Sequence, residues 1–288
     1  MMQANAATTT PSSSRQVIGD AAFGALARLL RDETGIVLTE AKKGLAVSRL
    51  SRRLRNLGLP DFETYCALLS GPDGKAELQE MILLLTTNVT RFFREGHHFD
   101  QLRDAILPDL VAKAKSGGRV RIWSAGCSSG EEPYSIAMTA LAVFPALDTV
   151  NFRILATDID RNVLATGRTG HYRVPPQDRA AHPLIAKNME SVAGQDDLFE
   201  VSPKLRALVQ FAELNLQQPW PMQGKFDVIF CRNVVIYFST ETQQSLWPRF
   251  AAVLQPRGHL MIGHSERVTG PATDRLRSCG VTQYQLTH

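Results

Sequence analysis

The chain has 288 residues, enough for one large domain or two smaller ones with separate cores. Its 44% hydrophobic and 21% charged content is that of a globular protein, and a net charge of +4 is too small to mark a dedicated nucleic-acid binder unless the charge is concentrated in one place. The cysteines, Cys66, Cys127, Cys231 and Cys279, form no C-x-x-C pair, which argues against a zinc site and fits free thiols in a reducing cytosol.

Residues 1–16, MMQANAATTTPSSSRQ, lack the apolar segment of a signal peptide and read as a disordered tail. The longest aliphatic run, MILLL at 81–85, falls far short of the roughly 20 residues that span a bilayer, so no direct membrane insertion is expected. Residues 17–94 read as a helical N-terminal domain. Phe23, Leu26, Leu29 and Leu30 recur at helical spacing; Asp61 caps a helix carrying Phe62, Tyr65, Leu68 and Leu69; KAELQEMILLL supplies another. Between them, AKKGLAVSRLSRRLRNLG holds basic residues and no acid over 41–57. Leu50, Leu54 and Leu57 make its apolar stripe, and Arg49, Arg52 and Arg53 a separate cluster at i, i+3, i+4. That cluster is either a solvated helix face or a docking surface for an acidic partner.

A linker over 95–118 carries a helix at roughly 97–115, with Phe99, Leu102, Ile106 and Leu110 in step. From 119 to 288 strands alternate with helices, which predicts an α/β domain with a mostly parallel sheet covered on both faces. The predicted strands are RVRIWSAG, FRILATDID, FDVIFCRN, GHLMIGHSE and a short final one in GVTQYQLTH; PYSIAMTALAVF is the helix after the first. Residues 171–212 break the rhythm with two extended pieces, LFEV and LVQF, about a Ser-Pro, and predict an inserted β-subdomain.

In such a sheet ligands lie at the carboxyl ends of the strands, here Gly126 to Glu132, Asp158 with Asp160, and Arg232 with Asn233. Gly126 and Gly130 allow a tight turn, but G-x-x-x-G is not the dinucleotide spacing. Pro133 suits a first helical position, which makes Glu132 the nominal cap. Glu131 and Glu132 at a helix start would repel a pyrophosphate, although acids also simply favour a first helical turn. With Asp158 placed to meet ribose hydroxyls, the loop points to a cationic nucleoside without phosphate, and S-adenosylmethionine is one.

TTNVTRFFRE (86–95), SAGCSSGEEPYSIA (124–137), ATDID (156–160), CRNVVIYF (231–238) and GHSE (263–266) together resemble the bacterial chemotaxis receptor methyltransferases of the CheR type. The resemblance runs from about residue 20 to the end. It implies a helical N-terminal domain, then a class I, Rossmann-like S-adenosylmethionine-dependent methyltransferase domain with an inserted β-subdomain. It implies methyl transfer to glutamate side chains of chemoreceptor cytoplasmic helices, giving γ-methyl esters and S-adenosylhomocysteine. Cofactor contacts are then expected from Asn88, Thr90, Arg94, Gly126, Glu132, Asp158, Asn215, Leu216, Arg232 and Asn233, with Arg94, Arg232 and Tyr237 nearest the transferred methyl. Arg49, Arg52 and Arg53 become a receptor-docking face, and a receptor tail could add to the inserted sheet. No metal site is expected, and His97, His98 and His264 are assigned no role. A cytoplasmic monomer recruited to membrane receptor arrays is expected, binding no nucleic acid. The rival readings are a methyltransferase with another acceptor and a non-catalytic signalling adaptor of the same fold.

Overall fold

In the computed structural model, residues 17–72 and 74–287 are described; the tail expected over 1–16 lies outside them. The chain divides into two compact units, one comprising Leu38–Leu85 with the chain up to Leu29, the other Leu30–Val37 with Thr86–His288. Segment 86–94, expected in the helical domain, and the helical run after it, expected as a linker, both fall in the second unit.

The helices of the first region are α1 (Asp20–Thr34), whose last turn falls in the second unit, α2 (Lys43–Leu57), α3 (Phe62–Ser70) and α4 (Gly74–Leu85). Helix α2 stops because Gly58 takes the left-handed conformation, φ 69°, and returns its N–H to the last turn. Asp61 caps α3 as predicted, accepting the Thr64 N–H at 2.8 Å. Leu26, Leu50, Leu54, Phe62, Tyr65, Met81 and Ile82 are all buried and form this unit's core. Each contributes roughly 1.5–3 kcal/mol through the area it removes from water.

The second unit opens with α5 (His97–Gln101), which passes through a π-turn at Leu102–Ile106 into α6 (Leu107–Lys115). The sequence predicts one regular helix here. Pro108 has no N–H to return to the preceding turn, and the widened turn accommodates its ring. There follow β1 (Val120–Ala125), α7 (Glu131–Val143), β2 (Phe152–Asp158) and α8 (Arg161–Thr169). The insertion comprises β3 (His171–Arg173), α9 (Pro176–Ala181), α10 (Pro183–Asn188), β4 (Met189–Ser191), β5 (Leu198–Val201) and α11 (Pro203–Arg206). Then come β6 (Val209–Glu213), β7 (Phe226–Cys231), α12 (Thr240–Val253), β8 (Leu254–Ile262), β9 (Leu276–Gly280) and β10 (Gln283–Leu286).

Seven strands form the main sheet in the order β6-β2-β1-β7-β8-β10-β9, parallel except that β10 runs antiparallel between β8 and β9. This is the Rossmann-like arrangement expected. The strand order reverses between β1 and β7, the switch point at which ligands sit. Alternation divides the core by face. Val120, Ile122, Val228 and Phe230 join the cluster under α7, whereas Trp123, Ala125, Ile229 and Cys231 join the one that includes Trp247 and Phe250 of α12.

Three further expectations need correction. The inserted sheet is β3-β5-β4, but LVQF does not belong to it: Val209–Glu213 pairs in parallel with Ile154–Asp158 as the edge of the main sheet. A short strand's pattern shows that it is extended, not which partner it finds. Helix α7 begins at Glu131, with Gly130 at φ 100° as its cap, so Pro133 stands in the third position and Glu132 is not the cap. Beside β10 runs β9, which has no counterpart among the predicted strands.

Candidate active site at the carboxyl edge of the sheet

Strand register sets the site. Ala125 lies beside Thr157, Ser124 beside Phe230, and Cys231 beside Ile262. The next residue of each strand or loop, Gly126, Asp158, Arg232 and Gly263, therefore emerges along one edge. Gly126 at φ 74° turns the chain so that its own N–H and that of Cys127 both reach the Thr157 carbonyl, at 2.8 and 2.9 Å. A Cβ on Gly126 would come within 2.3 Å of Val234 Cγ2, so glycine is required there on both counts.

Asp158 ends β2 and is 8% exposed. One oxygen accepts the Ser128 N–H at 2.8 Å and the other the Asp160 N–H at 3.0 Å. Burial holds its carboxyl above the ordinary value against those two bonds. A carboxylate has about four acceptor sites, so capacity remains for hydroxyls. Asp160 caps α8 through the Asn162 N–H and accepts Asn88 Nδ2 at 2.7 Å, while Ser128 Oγ donates to the Asn88 carbonyl at 2.9 Å. Asn88 is thereby fastened to the glycine loop. Thr90 and Arg94 lie half-buried on the same segment, and Arg94 Nη1 donates to the Val89 carbonyl at 2.9 Å.

The two glutamates part company. Glu131 accepts Ser129 Oγ at 2.7 Å, whereas Glu132 accepts Ser124 Oγ at 2.7 Å and Arg232 Nη1 at 3.2 Å. Burial raises the carboxyls of both; Ser129 opposes it at Glu131, and Arg232 and Ser124 oppose it at Glu132. The Arg232 side chain is only 2% exposed. It lies between Glu132 and Glu95, Nη2 being 3.4 Å from Glu95 Oε2, and it also donates to the Arg94 carbonyl. Its Nε is buried without a partner among the described residues.

Glu95, the last residue of TTNVTRFFRE and one given no role by sequence, gathers three motifs. One oxygen accepts Asn233 Nδ2 at 3.2 Å and His264 Nδ1 at 2.9 Å, and the other faces Arg232. Burial alone would raise its carboxyl, but His264, Arg232 and Asn233 together bring it down to about 2. His98 beneath it is buried, and burial and Arg232 lower its pKa to about 3, so its ring is neutral. Glu95, His97 and His98 have ligand atoms within 4.8 Å of one another, yet the guanidinium beside the same carboxylate would repel a metal cation.

Asn233 sits at φ 59° and leads into a short helical turn, Val235–Tyr237. Tyr237 is half-buried against the core that includes Trp247, and its carbonyl accepts the Val37 N–H at 2.8 Å. Asn215 donates to the Glu33 carbonyl at 2.7 Å and accepts the Gln217 N–H at 2.9 Å, and Leu216 is buried beside it. In the helical unit the arginine cluster is not uniform. Arg52 is exposed and Arg49 donates to the Leu84 carbonyl, but Arg53 forms a forked ion pair with Glu77, whose side chain is only 9% exposed and which also accepts Tyr65 Oη at 2.8 Å.

The donor set suits S-adenosylmethionine. The stretch 124–132 presents glutamates and no cation of its own, which disfavours phosphate, while Asp158 keeps acceptor capacity beside it.

A family model described as "CheR methyltransferase, SAM binding domain" matches residues 88–285, and one described as "CheR methyltransferase, all-alpha domain" matches 21–86. The chain is 50% identical over 262 residues to a probable chemotaxis protein methyltransferase of Rhizobium etli, covering 90% of this chain and 97% of that one. It is 43% identical to the chemotaxis protein methyltransferase of Borreliella burgdorferi, over 85% of this chain and 87% of the relative. With the Escherichia coli chemotaxis protein methyltransferase the identity is 42%, over 95% of this chain and 93% of the relative. The chain belongs to the CheR methyltransferase family and is an S-adenosylmethionine-dependent methyltransferase.

Proposed function

We propose that the chain methylates glutamate side chains on the cytoplasmic helices of chemoreceptors, giving γ-methyl esters and S-adenosylhomocysteine in sensory adaptation. The observation that carries this reading is Arg232, buried at the strand-order switch between two carboxylates and next to the acidic glycine loop. S-adenosylmethionine, when bound, supplies an electrophilic methyl group. Asp158 would hold its ribose and Glu132 its cationic end, with Asn88, Thr90, Gly126, Asn215, Leu216 and Asn233 around it.

A receptor glutamate has an unperturbed pKa near 4.3 and arrives as the anion, so no general base is needed. The task of the protein is to align that oxygen and exclude water. Arg94 offers a forked donor and Tyr237 a phenolic one, and Arg232, whose Nη atoms are taken by Glu132 and the Arg94 carbonyl, keeps Nε without a partner among the described residues. Glu95 and Glu132 already balance Arg232, so it orients an incoming carboxylate without clamping it. That restraint matters, because stabilising the ground-state anion would slow its attack.

The helical unit is the receptor-docking part, with Arg49 and Arg52 facing acidic receptor helices; Arg53 contributes through its hold on Glu77. The protein works in the cytoplasm at receptor arrays, as a monomer. Among the described residues, no helix is long and apolar enough to cross a membrane.

The decisive test is transfer of labelled methyl from S-adenosylmethionine to purified chemoreceptor cytoplasmic fragments. Label released as methanol by mild base is expected. Base-stable label would refute the glutamate ester.

A further inference from the structure

We propose that Glu266 is a positioning residue for methyl transfer, holding the Arg232–Tyr237 loop in its working geometry; this rests on reading Arg232 and Tyr237 as transfer-site residues. Glu266 follows β8 and is 6% exposed. Its Oε1 accepts the N–H groups of Val234 at 2.9 Å, Val235 at 3.0 Å and Ile236 at 3.4 Å. Oε2 accepts Asn233 N–H at 3.0 Å and that of Gly263.

The local chain explains why a carboxylate is needed. After β7 the backbone passes through the left-handed Asn233 and starts the turn Val235–Tyr237, whose first N–H groups have no partner within the turn. They point at the buried Glu266 carboxylate, and that one anion takes them together. The loop begins at Arg232 and ends at Tyr237, and Val234 between them packs on Gly126 of the cofactor loop. A displaced loop would thus misplace both donors and press on the glycine turn. Misplacement by about 1 Å costs on the order of 10²-fold in rate.

Glu266→Gln keeps the shape but turns one acceptor into a donor that faces backbone N–H groups. Gly263→Ala approaches the same junction from outside: its Cβ would stand 2.7 Å from Asn233 N and 2.9 Å from Glu266 Oε2. With the full chain and receptor fragments, both variants should lose roughly 10²-fold in kcat. Receptor KM should stay within about twofold and far-UV circular dichroism should be unchanged, because a loop displacement acts on alignment rather than on docking. The double variant Glu266→Gln/Tyr237→Phe should lose less than the product of its single losses, since both act through one loop.

A Glu266→Gln enzyme of wild-type kcat, or one whose loss multiplies independently with that of Tyr237→Phe, overturns the proposal. If Glu266→Gln does not fold, Gly263→Ala decides by the same criteria. Wild-type transfer by Arg232→Ala and Tyr237→Phe would overturn the site assignment and the proposal with it; loss in those two beside a normal Glu266→Gln would overturn the role of Glu266 alone.

Discussion

Replacing Glu95 with glutamine tests how strongly the ionised carboxylate ties the TTNVTRFFRE segment to Arg232, Asn233 and His264. Its pKa falls from 4.5 to about 2: burial opposes the ionised form, and the His264 and Asn233 hydrogen bonds with the Arg232 charge more than offset it. At about 1.36 kcal/mol per unit, that difference corresponds to about 3 kcal/mol. The His264 side chain is 66% exposed, so water screens its part, and about 2 kcal/mol should survive. The folded value lies below the unfolded one. Ionised Glu95 therefore contributes fully above pH 4.5, and the contribution is lost as pH falls toward 2. His98, lowered from 6.5 to about 3, costs both proteins stability of its own as pH falls below 6.5, so it is the difference between them that isolates Glu95.

Urea unfolding of wild type and Glu95→Gln at neutral pH, at 4.5 and midway through the window would measure this. The stability gap should be about 2 kcal/mol at neutral pH and roughly half that near pH 3.3. A gap that stays constant as the pH falls would refute the ionic account; it would then reflect packing alone. No gap at neutral pH would refute the coupling itself.

Arg53→Ala should destabilise the helical unit by roughly 2–3 kcal/mol, because it leaves the buried Glu77 with only Tyr65, whereas Arg52→Glu should leave urea unfolding unchanged and lower receptor methylation at unaltered cofactor affinity. Equal loss of stability in both would show that the cluster is structural throughout. Gly126→Ala should abolish detectable S-adenosylmethionine binding by calorimetry and cost at least about 1–2 kcal/mol in stability from its left-handed φ alone. Adding Val234→Ala should recover part of that stability, since Val234 is what the new Cβ meets.

Much of the candidate site is legible because it lies on strand ends. The glycine turn, the paired glutamates and Asp158 follow from the hydrophobic strands that precede them, and the sheet topology assigns those positions to a ligand. The arginines were another matter. Strand-end position singles out Arg232, but by composition Arg94 is a surface cation, and only the set of five motifs, taken as a resemblance, assigns both a place beside the transferred methyl. Arg53 shows the opposite error: its spacing beside Arg49 and Arg52 reads as one cationic face, while its partner Glu77 lies on another helix, where no local periodicity can announce it.

Glu95 and Glu266 mark the boundary of such reading most clearly. Each closes one of the five motifs, but a glutamate by itself fits a solvated surface, and almost always lies on one. What makes these two different is the set of donors that converge on them: Arg232, Asn233 and His264 on Glu95, and a row of backbone N–H groups on Glu266. The donors after β7 and the groups they meet, Glu95 before α5 and Glu266 after β8, come together only after the sheet has formed. Burying an anion is unfavourable until its partners are assembled, so the sheet must create each site before the carboxylate can occupy it. The dependence then runs the other way, since Arg232 could not remain at 2% exposure at the strand-order switch without Glu95 and Glu132 to balance it. Fold and site are coupled at this edge, and the residues that couple them bear charges that, in isolation, belong in water.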